Sequence, residues 1–148
     1  MSYIRFVAMI ATSVVAMYIL MYLNTYSFDH IYWSQTRGWM ALYMGAVMAL
    51  IMLGYMLAMY RNRAANIAIL ILGVGVFSAS LYLLRSQNTV DDVSWMRAMI
   101  PHHSIAILTS ERAKITDPRV RTLADEIIAT QRREIEEMQT LIDDLKSR

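Results

Sequence analysis

The 148-residue sequence contains no cysteine, only two prolines and only five glycines. The absence of cysteine excludes disulfide bonds and cysteine nucleophiles; it fits an oxidising exterior, but it also fits many cytosolic proteins. Glycine-rich phosphate-binding loops, internal repeats and low-complexity tracts are absent as well, which excludes the common nucleotide-binding motifs and repeat folds.

Charge is nearly missing from the first 84 residues. The five charged side chains there are Arg5, Asp29, Arg37, Arg61 and Arg63. Residues 85–148 hold the other 21, of which 10 are basic and 11 acidic. Two regimes therefore meet near Arg85. Because the second is almost neutral and carries no basic stripe, the overall net charge of +2 does not indicate binding to nucleic acid.

Three apolar runs fill the first half of the chain, at about 4–23, 39–60 and 66–84. A helix needs roughly 20 residues to cross about 30 Å of hydrocarbon. The alternative for the first run is a cleaved signal peptide, but it is longer than the usual apolar segment of roughly 7–15 residues and no A-x-A site follows it. The sequence therefore predicts that residues 1–85 form a three-helix transmembrane bundle in a lipid bilayer.

The short loops predict the orientation. Arg61 and Arg63 lie between the second and third apolar runs, and Arg5 precedes the first. In the loop 24–38, Arg37 is balanced by Asp29. The positive-inside rule then places the N-terminus in the cytoplasm. With three crossings, the first loop and the tail face outward; in a bacterium this corresponds to an inner (plasma) membrane protein with a periplasmic tail, which is the location expected here.

The tail, residues 86–148, is predicted to form two helices. Thr89, with Asp92 three residues later, predicts a helix cap, and the first helix is expected from about 91 to 115. Asp117-Pro118 is a second start signal, after which a helix continues to about Lys146. The predicted fold is all-α: a transmembrane bundle followed by an extramembrane antiparallel helical hairpin.

The second tail helix carries a stripe of apolar residues interrupted by polar ones. Its members, spaced three and four residues apart, are Val120, Leu123, Ile127, Gln131, Glu134, Met138, Leu141 and Leu145. A carboxylate on a buried seam must be paired, protonated or bound to a cation. Glu134 therefore either meets an arginine across the hairpin or contributes to a cation site.

The first tail helix favours the second reading. Its stripe consists of Asp92, Met96, Met99, His103, Ala106 and Ser110, flanked by Trp95 and His102. Methionine is commonly core filler, and a single histidine on a seam is commonly a hydrogen-bonded core residue. Adjacent histidines within a turn of two methionines are a soft donor set that suits copper, particularly Cu(I).

The same residues carry a resemblance to a known family. The segment from Asp92 to His103, with its Met-Ile-Pro-His-His core, and the later Gln131, Glu134-Ile135 and Met138 resemble the domain of unknown function 305 family. The resemblance implies a ferritin-like four-helix fold, an extracytoplasmic location, and copper binding or tolerance. It implies as metal ligands Met96, Met99, His102, His103 and Met138, with Asp92, Gln131 and Glu134 as their polar partners. This chain has Ser104 where many members have Gln, and Thr109 where many have Met.

Two helices cannot enclose a core, because each leaves much of its surface exposed. The hairpin is therefore expected to be half of a four-helix bundle, completed by a second copy or by a larger membrane complex. A two-fold dimer would hold two equivalent sites or one shared site on its axis.

Catalysis has little support, since no nucleophile stands beside a base and no Glu-x-x-His pair is present. The expected function is that of a non-enzymatic, membrane-anchored periplasmic protein that buffers copper, confers tolerance or hands the metal on. The alternative is an accessory or structural subunit in which the His and Met residues serve packing and hydrogen bonding.

Overall fold

A computed structural model describes residues 2–147 of the chain. Within this range there are five α-helices and no β-strand, which confirms the predicted all-α class. The helices are α1 (Tyr3–Leu20), α2 (Gln35–Tyr55), α3 (Arg63–Ser86), α4 (Asp92–Arg112) and α5 (Pro118–Ser147), with a single 3₁₀ turn at Phe28–His30.

Helices α1, α2 and α3 are each long and apolar enough to cross a membrane. Helix α2 begins at Gln35 and ends at Tyr55, several residues before the bounds expected from the apolar run 39–60. The first turn of α2 lies outside the apolar run because its residues are polar. Arg37 lies in it, buried, and its guanidinium donates a hydrogen bond to the carbonyl of Met21 just after α1.

The chain divides into two compact units. One contains α1, α2 and α3; the other contains α4, α5 and residues 22–35. The sequence places a single boundary near residue 85. In the structure, the loop 22–35 instead belongs with α4 and α5, because its side chains and backbone bond to those helices.

A small cluster at one end of the first unit joins its three helices. Phe6, Leu53 and Tyr60 are buried together, and Ile69 packs against them. The Tyr3 hydroxyl donates to Asn66 Oδ1 at 2.9 Å. A tyrosine hydroxyl inside or beside an apolar region needs such a partner, so this contact fixes the start of α1 beside the start of α3.

The second unit begins with two capped helices. Asp91, not Thr89, caps α4: its carboxylate accepts the backbone N–H of Ser94 at 2.7 Å. The predicted cap was therefore wrong, because the carboxylate adjacent to the first helical residue takes the bond. The start predicted for α5 is confirmed, since α5 begins at Pro118 and Asp117 accepts the N–H of Arg119.

Helices α4 and α5 pack against each other in opposite directions. Trp95 and Leu145 line one groove near one end, and Arg121 Nη1 donates to the Ser110 carbonyl at 3.1 Å near the other. The core between the helices consists of Met96, Ile100, Ile107, Ile135, Met138 and Ile142, none more than 6% exposed. These buried apolar side chains exclude water along most of the contact between α4 and α5.

The core is rotated by about 60° from the predicted seams, so it keeps Met96 and Met138 but not the leucines. Leu123 and Leu141, expected on the seam of α5, are 55% and 45% exposed. Ile135 and Ile142 take the buried positions instead. The expected stripe contains Glu134, whereas the row through Ile135 and Ile142 carries no charge, so packing that row against α4 avoids burying a carboxylate.

Candidate metal site

Three of the predicted thioether ligands meet in the core of the second unit. Met96 and Met138 are 5% and 6% exposed and belong to the same buried cluster. Met99, one turn along α4 from Met96, is half-buried and packs against that cluster. The side chains of all three methionines therefore lie on one stretch of the α4–α5 contact.

His103 lies one helical turn beyond Met99 and faces α5. Its Nδ1 is 3.2 Å from Glu134 Oε2, and Gln131 Nε2 donates to the same Oε2 at 3.4 Å. The Nδ1 atom is buried, yet it is not aligned for a hydrogen bond with any group among residues 2–147. The imidazole thus has a carboxylate beside it and a nitrogen whose bonding capacity is unused.

Burial lowers the pKa of the His103 imidazole below its ordinary value of 6.5. The Glu134 carboxylate opposes this effect, and the neighbouring His102 adds to it. The neutral imidazole is therefore favoured near pH 7. Only a neutral imidazole has a nitrogen lone pair free for a metal ion.

Two of the predicted residues are not brought to this place. His102 is exposed, and the centroid of its ring lies 6.2 Å from that of His103. Asp92 is eleven residues before His103 on the same helix, which separates them by about 16 Å at 1.5 Å per residue. Asp92 instead lines a groove with Trp95 and Leu145. Within one copy of the chain, Asp92 and His103 cannot share an ion.

The donor set fits a soft ion rather than a hard one. Among the described residues, no group of three or more His, Asp or Glu side chains is placed to hold a metal. The site offers the buried Nδ1 of His103, which has no hydrogen bond. It also offers the thioethers of Met99, about one turn from His103, and of Met138, about one turn from Glu134. Imidazole with thioether suits Cu(I), whereas Mg²⁺ and Ca²⁺ need several oxygen ligands.

A contact that was not predicted from the sequence adjoins this site. Ser104, the residue after His103, is 0% exposed, and its hydroxyl oxygen accepts the backbone N–H of Tyr26 at 2.6 Å. The same oxygen is 2.9 Å from Nδ1 of His30. No local sequence signal indicates this contact, because Ser104 lies 78 residues after Tyr26 and 74 after His30.

The rest of the loop packs on the same side of α4 and α5. The guanidinium of Arg132 lies 5.1 Å from the centroid of the Tyr26 ring and donates to its hydroxyl at 3.2 Å. Gln139 Nε2 donates to the Tyr32 hydroxyl at 3.4 Å. A cleft of about 350 Å³ remains between the loop and α5, lined in part by His30, Arg132 and Gln139. One face of the helix pair is therefore covered by residues 22–35.

Comparison with known proteins identifies two similarities. A family model described as "Domain of unknown function (DUF305)" matches residues 86–148. The "Uncharacterized protein L153" of Acanthamoeba polyphaga mimivirus is 33% identical over 147 aligned residues, covering 94% of each chain. The similarity to the viral protein therefore extends through the apolar helices as well as the tail. No solved structure matches.

Proposed function

Because this chain belongs to the DUF305 family, we propose that it is a membrane-anchored, non-enzymatic protein whose α4–α5 pair binds copper as Cu(I). Its role is to buffer the metal, confer tolerance or hand it on, at the extracytoplasmic face of a bacterial plasma membrane. The observation that carries the proposal is the buried His103 Nδ1, which has no hydrogen bond and lies a turn from Met99.

The packing of the loop supports membrane crossings by both α2 and α3. Residues 22–35 follow α1, α4 follows α3, and both belong to one compact unit. Two segments that contact each other must lie on the same side of a bilayer. Crossings by both α2 and α3, the two helices between these segments, meet this condition, whereas a crossing by only one of them would separate the segments. A reporter enzyme fused after the last residue tests the sidedness, and activity in the cytoplasm would contradict it.

The metal would be held by His103 and Met99, with Met96 or Met138 completing the set. His103 would supply Nδ1 of a neutral imidazole, and the Glu134 carboxylate, whose Oε2 is 3.2 Å from that nitrogen, would lie beside the ion and offset its positive charge. His102 serves as a ligand from the flank or supports His103. Thioether sulfur and imidazole nitrogen are ligands that suit a soft, polarizable ion such as Cu(I). The isoleucines around the thioethers keep water out.

Titration of the purified full chain with Cu(I), against a competing chromogenic chelator, tests this assignment. We expect Met99→Leu and His103→Gln to abolish tight binding, and His102→Gln or Glu134→Gln to weaken it by roughly 10–100-fold. Met48→Leu in α2 is the matched control, since it removes a thioether of the first unit, and it should bind as the unaltered chain does. A Met99→Leu variant that binds Cu(I) normally would refute the site.

A second function is favoured by a different observation. Met96 and Met138 are about as buried as Ile135 and Ile142 around them, as ordinary core residues would be. In this case the protein is an accessory subunit of a larger membrane complex, and the His103–Glu134 contact only orders the helices. Replacing Met96, Met99 and Met138 together by Leu preserves packing volume. Unchanged stability and unchanged cellular phenotype in that variant would select this function over copper binding.

A further inference from the structure

The face of the α4–α5 pair away from the loop is open and apolar. Its large exposed side chains are Trp95, Val120, Leu123, Leu141 and Leu145, each between 40% and 55% exposed. By helical geometry, the leucines lie about 60–120° around α5 from the buried Ile135 and Ile142, on the side away from Gln139, which contacts the loop. This open face is distinct from both the core and the loop contact.

The spacing along α5 is that of a helix that packs on another helix. Val120, Ile127, Glu134 and Leu141 are separated by seven residues each, with Leu123 and Leu145 between or beyond them. A seven-residue repeat keeps one stripe facing a partner helix over several turns. The stripe spans 120–145, most of the length of α5, so its natural partner is a helix of similar length.

The order of the apolar residues is nearly the same from either end of α5. Val120 and Leu123 stand at one end of the stripe and Leu141 and Leu145 at the other, with Glu134 near the middle. Reversing the helix about its centre therefore places apolar residues over apolar residues. A two-fold symmetric contact has this requirement, because the same patch serves on both partners.

The charges of α5 decide the direction. Residues 118–133 contain four arginines and two carboxylates, a net charge of +2. Residues 134–147 contain five carboxylates and one lysine, a net charge of −4. Two copies in parallel would set like halves side by side. Two antiparallel copies set the positive half of each against the negative half of the other, which is electrostatically favourable.

We propose that a second copy of this chain docks on the open face, with its α5 antiparallel to the first α5. The two pairs of helices together form a four-helix assembly that removes the exposed leucines from water. Because Glu134 lies near the middle of the stripe, both His103–Glu134 pairs come close to the two-fold axis. The association does not depend on bound metal.

Cross-linking tests the proposal in the full chain, which has no cysteine of its own. A variant with Leu123→Cys and a differently tagged variant with Leu141→Cys are produced together in membranes and treated with a short bismaleimide, with a Cu(I) chelator present. We expect a mixed cross-linked dimer at least tenfold more abundant than the dimer that either variant forms with itself. Thr140→Cys, which lies beside Leu141 in sequence but about 100° around α5, is the control and should not cross-link to Leu123→Cys.

Three results would overturn the proposal. Self-cross-linking of Leu123→Cys as strong as the mixed reaction means that the helices are parallel. A monomeric mass by light scattering in detergent, without cross-links, means that no second copy binds. A different polypeptide recovered in stoichiometric cross-links means that the open face belongs to another subunit. Since the chelator removes copper, failure of metal binding leaves all of these readouts unchanged.

Discussion

Exposed leucine and isoleucine side chains have opposite meanings in the two units of this chain. In the apolar windows of α1, α2 and α3, only 6%, 22% and 11% of residues are buried within the chain. In a bilayer this costs nothing, because lipid tails are as apolar as leucine. On α5, Leu123 and Leu141 interrupt a charged surface, and each, being about half exposed, forgoes about half of the roughly 1.5–3 kcal/mol that full burial of such a side chain contributes. The same degree of exposure is therefore neutral in one unit and a sign of a missing partner in the other.

The largest contrast is expected from one substitution made in each unit. Ile100→Ala should destabilise the second unit by about 2–5 kcal/mol, because Ile100 is 0% exposed and its loss leaves a cavity between α4 and α5. Ile71→Ala in α3, where the side chain is 65% exposed, should have little effect. Pulse proteolysis of the two full-length variants in detergent measures the difference. Equal losses of stability would show that Ile71 is packed against protein and not lipid.

A leucine-to-lysine substitution should have its larger effect in the first unit, which is the reverse of the alanine substitutions. Leu72→Lys places an ammonium group near the centre of α3 and should impair membrane insertion, at a cost of roughly 2.5–3.5 kcal/mol. Leu123→Lys on the open face should leave the fold intact and only weaken self-association. Quantifying each variant in washed membranes, followed by light scattering in detergent, distinguishes the two effects. Normal insertion of Leu72→Lys would contradict a membrane-spanning α3.

Elements with strong local signals could be predicted from the sequence. The start of α5 follows from Asp117 and Pro118, and the three apolar helices follow from their length and hydropathy. The register of the α4–α5 contact could not be predicted. Helix α5 carries two apolar stripes side by side, one through Ile135 and one through Leu141, and the local sequence does not say which stripe meets α4.

The covering loop could not be predicted either. Its tyrosines resemble the aromatic residues that mark membrane interfaces, but Tyr22 is only 8% exposed and Tyr32 packs against the α4–α5 core. The contacts that hold the loop join residues far apart in the chain, as Tyr32 and Gln139 are. The candidate site shows the same division. Residue types indicated Met99 and His103, whereas Ser104 gained its role only from a loop about 75 residues earlier.

Ser104→Ala tests how strongly the loop is held to the second unit. The change leaves the Tyr26 N–H and the His30 Nδ1 without their shared partner, at a cost of roughly 1–3 kcal/mol if they stay buried. Hydrogen exchange at residues 22–35 should therefore become faster by one to two orders of magnitude. Thr109→Ala, one turn later on α4 and exposed, is the control and should not change it. Unaltered exchange in Ser104→Ala would mean that side-chain packing alone holds the loop.

The smallest expected effect is a dependence of the second unit's stability on pH, carried by His103. Its pKa in the folded chain lies below the ordinary value of 6.5, chiefly because of burial, so the unfolded chain binds a proton more readily than the folded one. The stabilising contribution is therefore complete above pH 6.5 and is lost as the pH falls from there towards the folded pKa. Pulse proteolysis of the second unit between pH 7.5 and 5 should show this decline. His103→Gln should remove it, and His102→Gln should reduce it, because the charge of His102 is a lesser cause of the lowered pKa.

The carboxylates of Asp29, Asp91 and Asp117 do not interfere, since their pKa values are lowered from 3.8 and they titrate below this range. A decline of the same size in His103→Gln would assign the effect to another group and would mean that the imidazole is not held neutral by its surroundings.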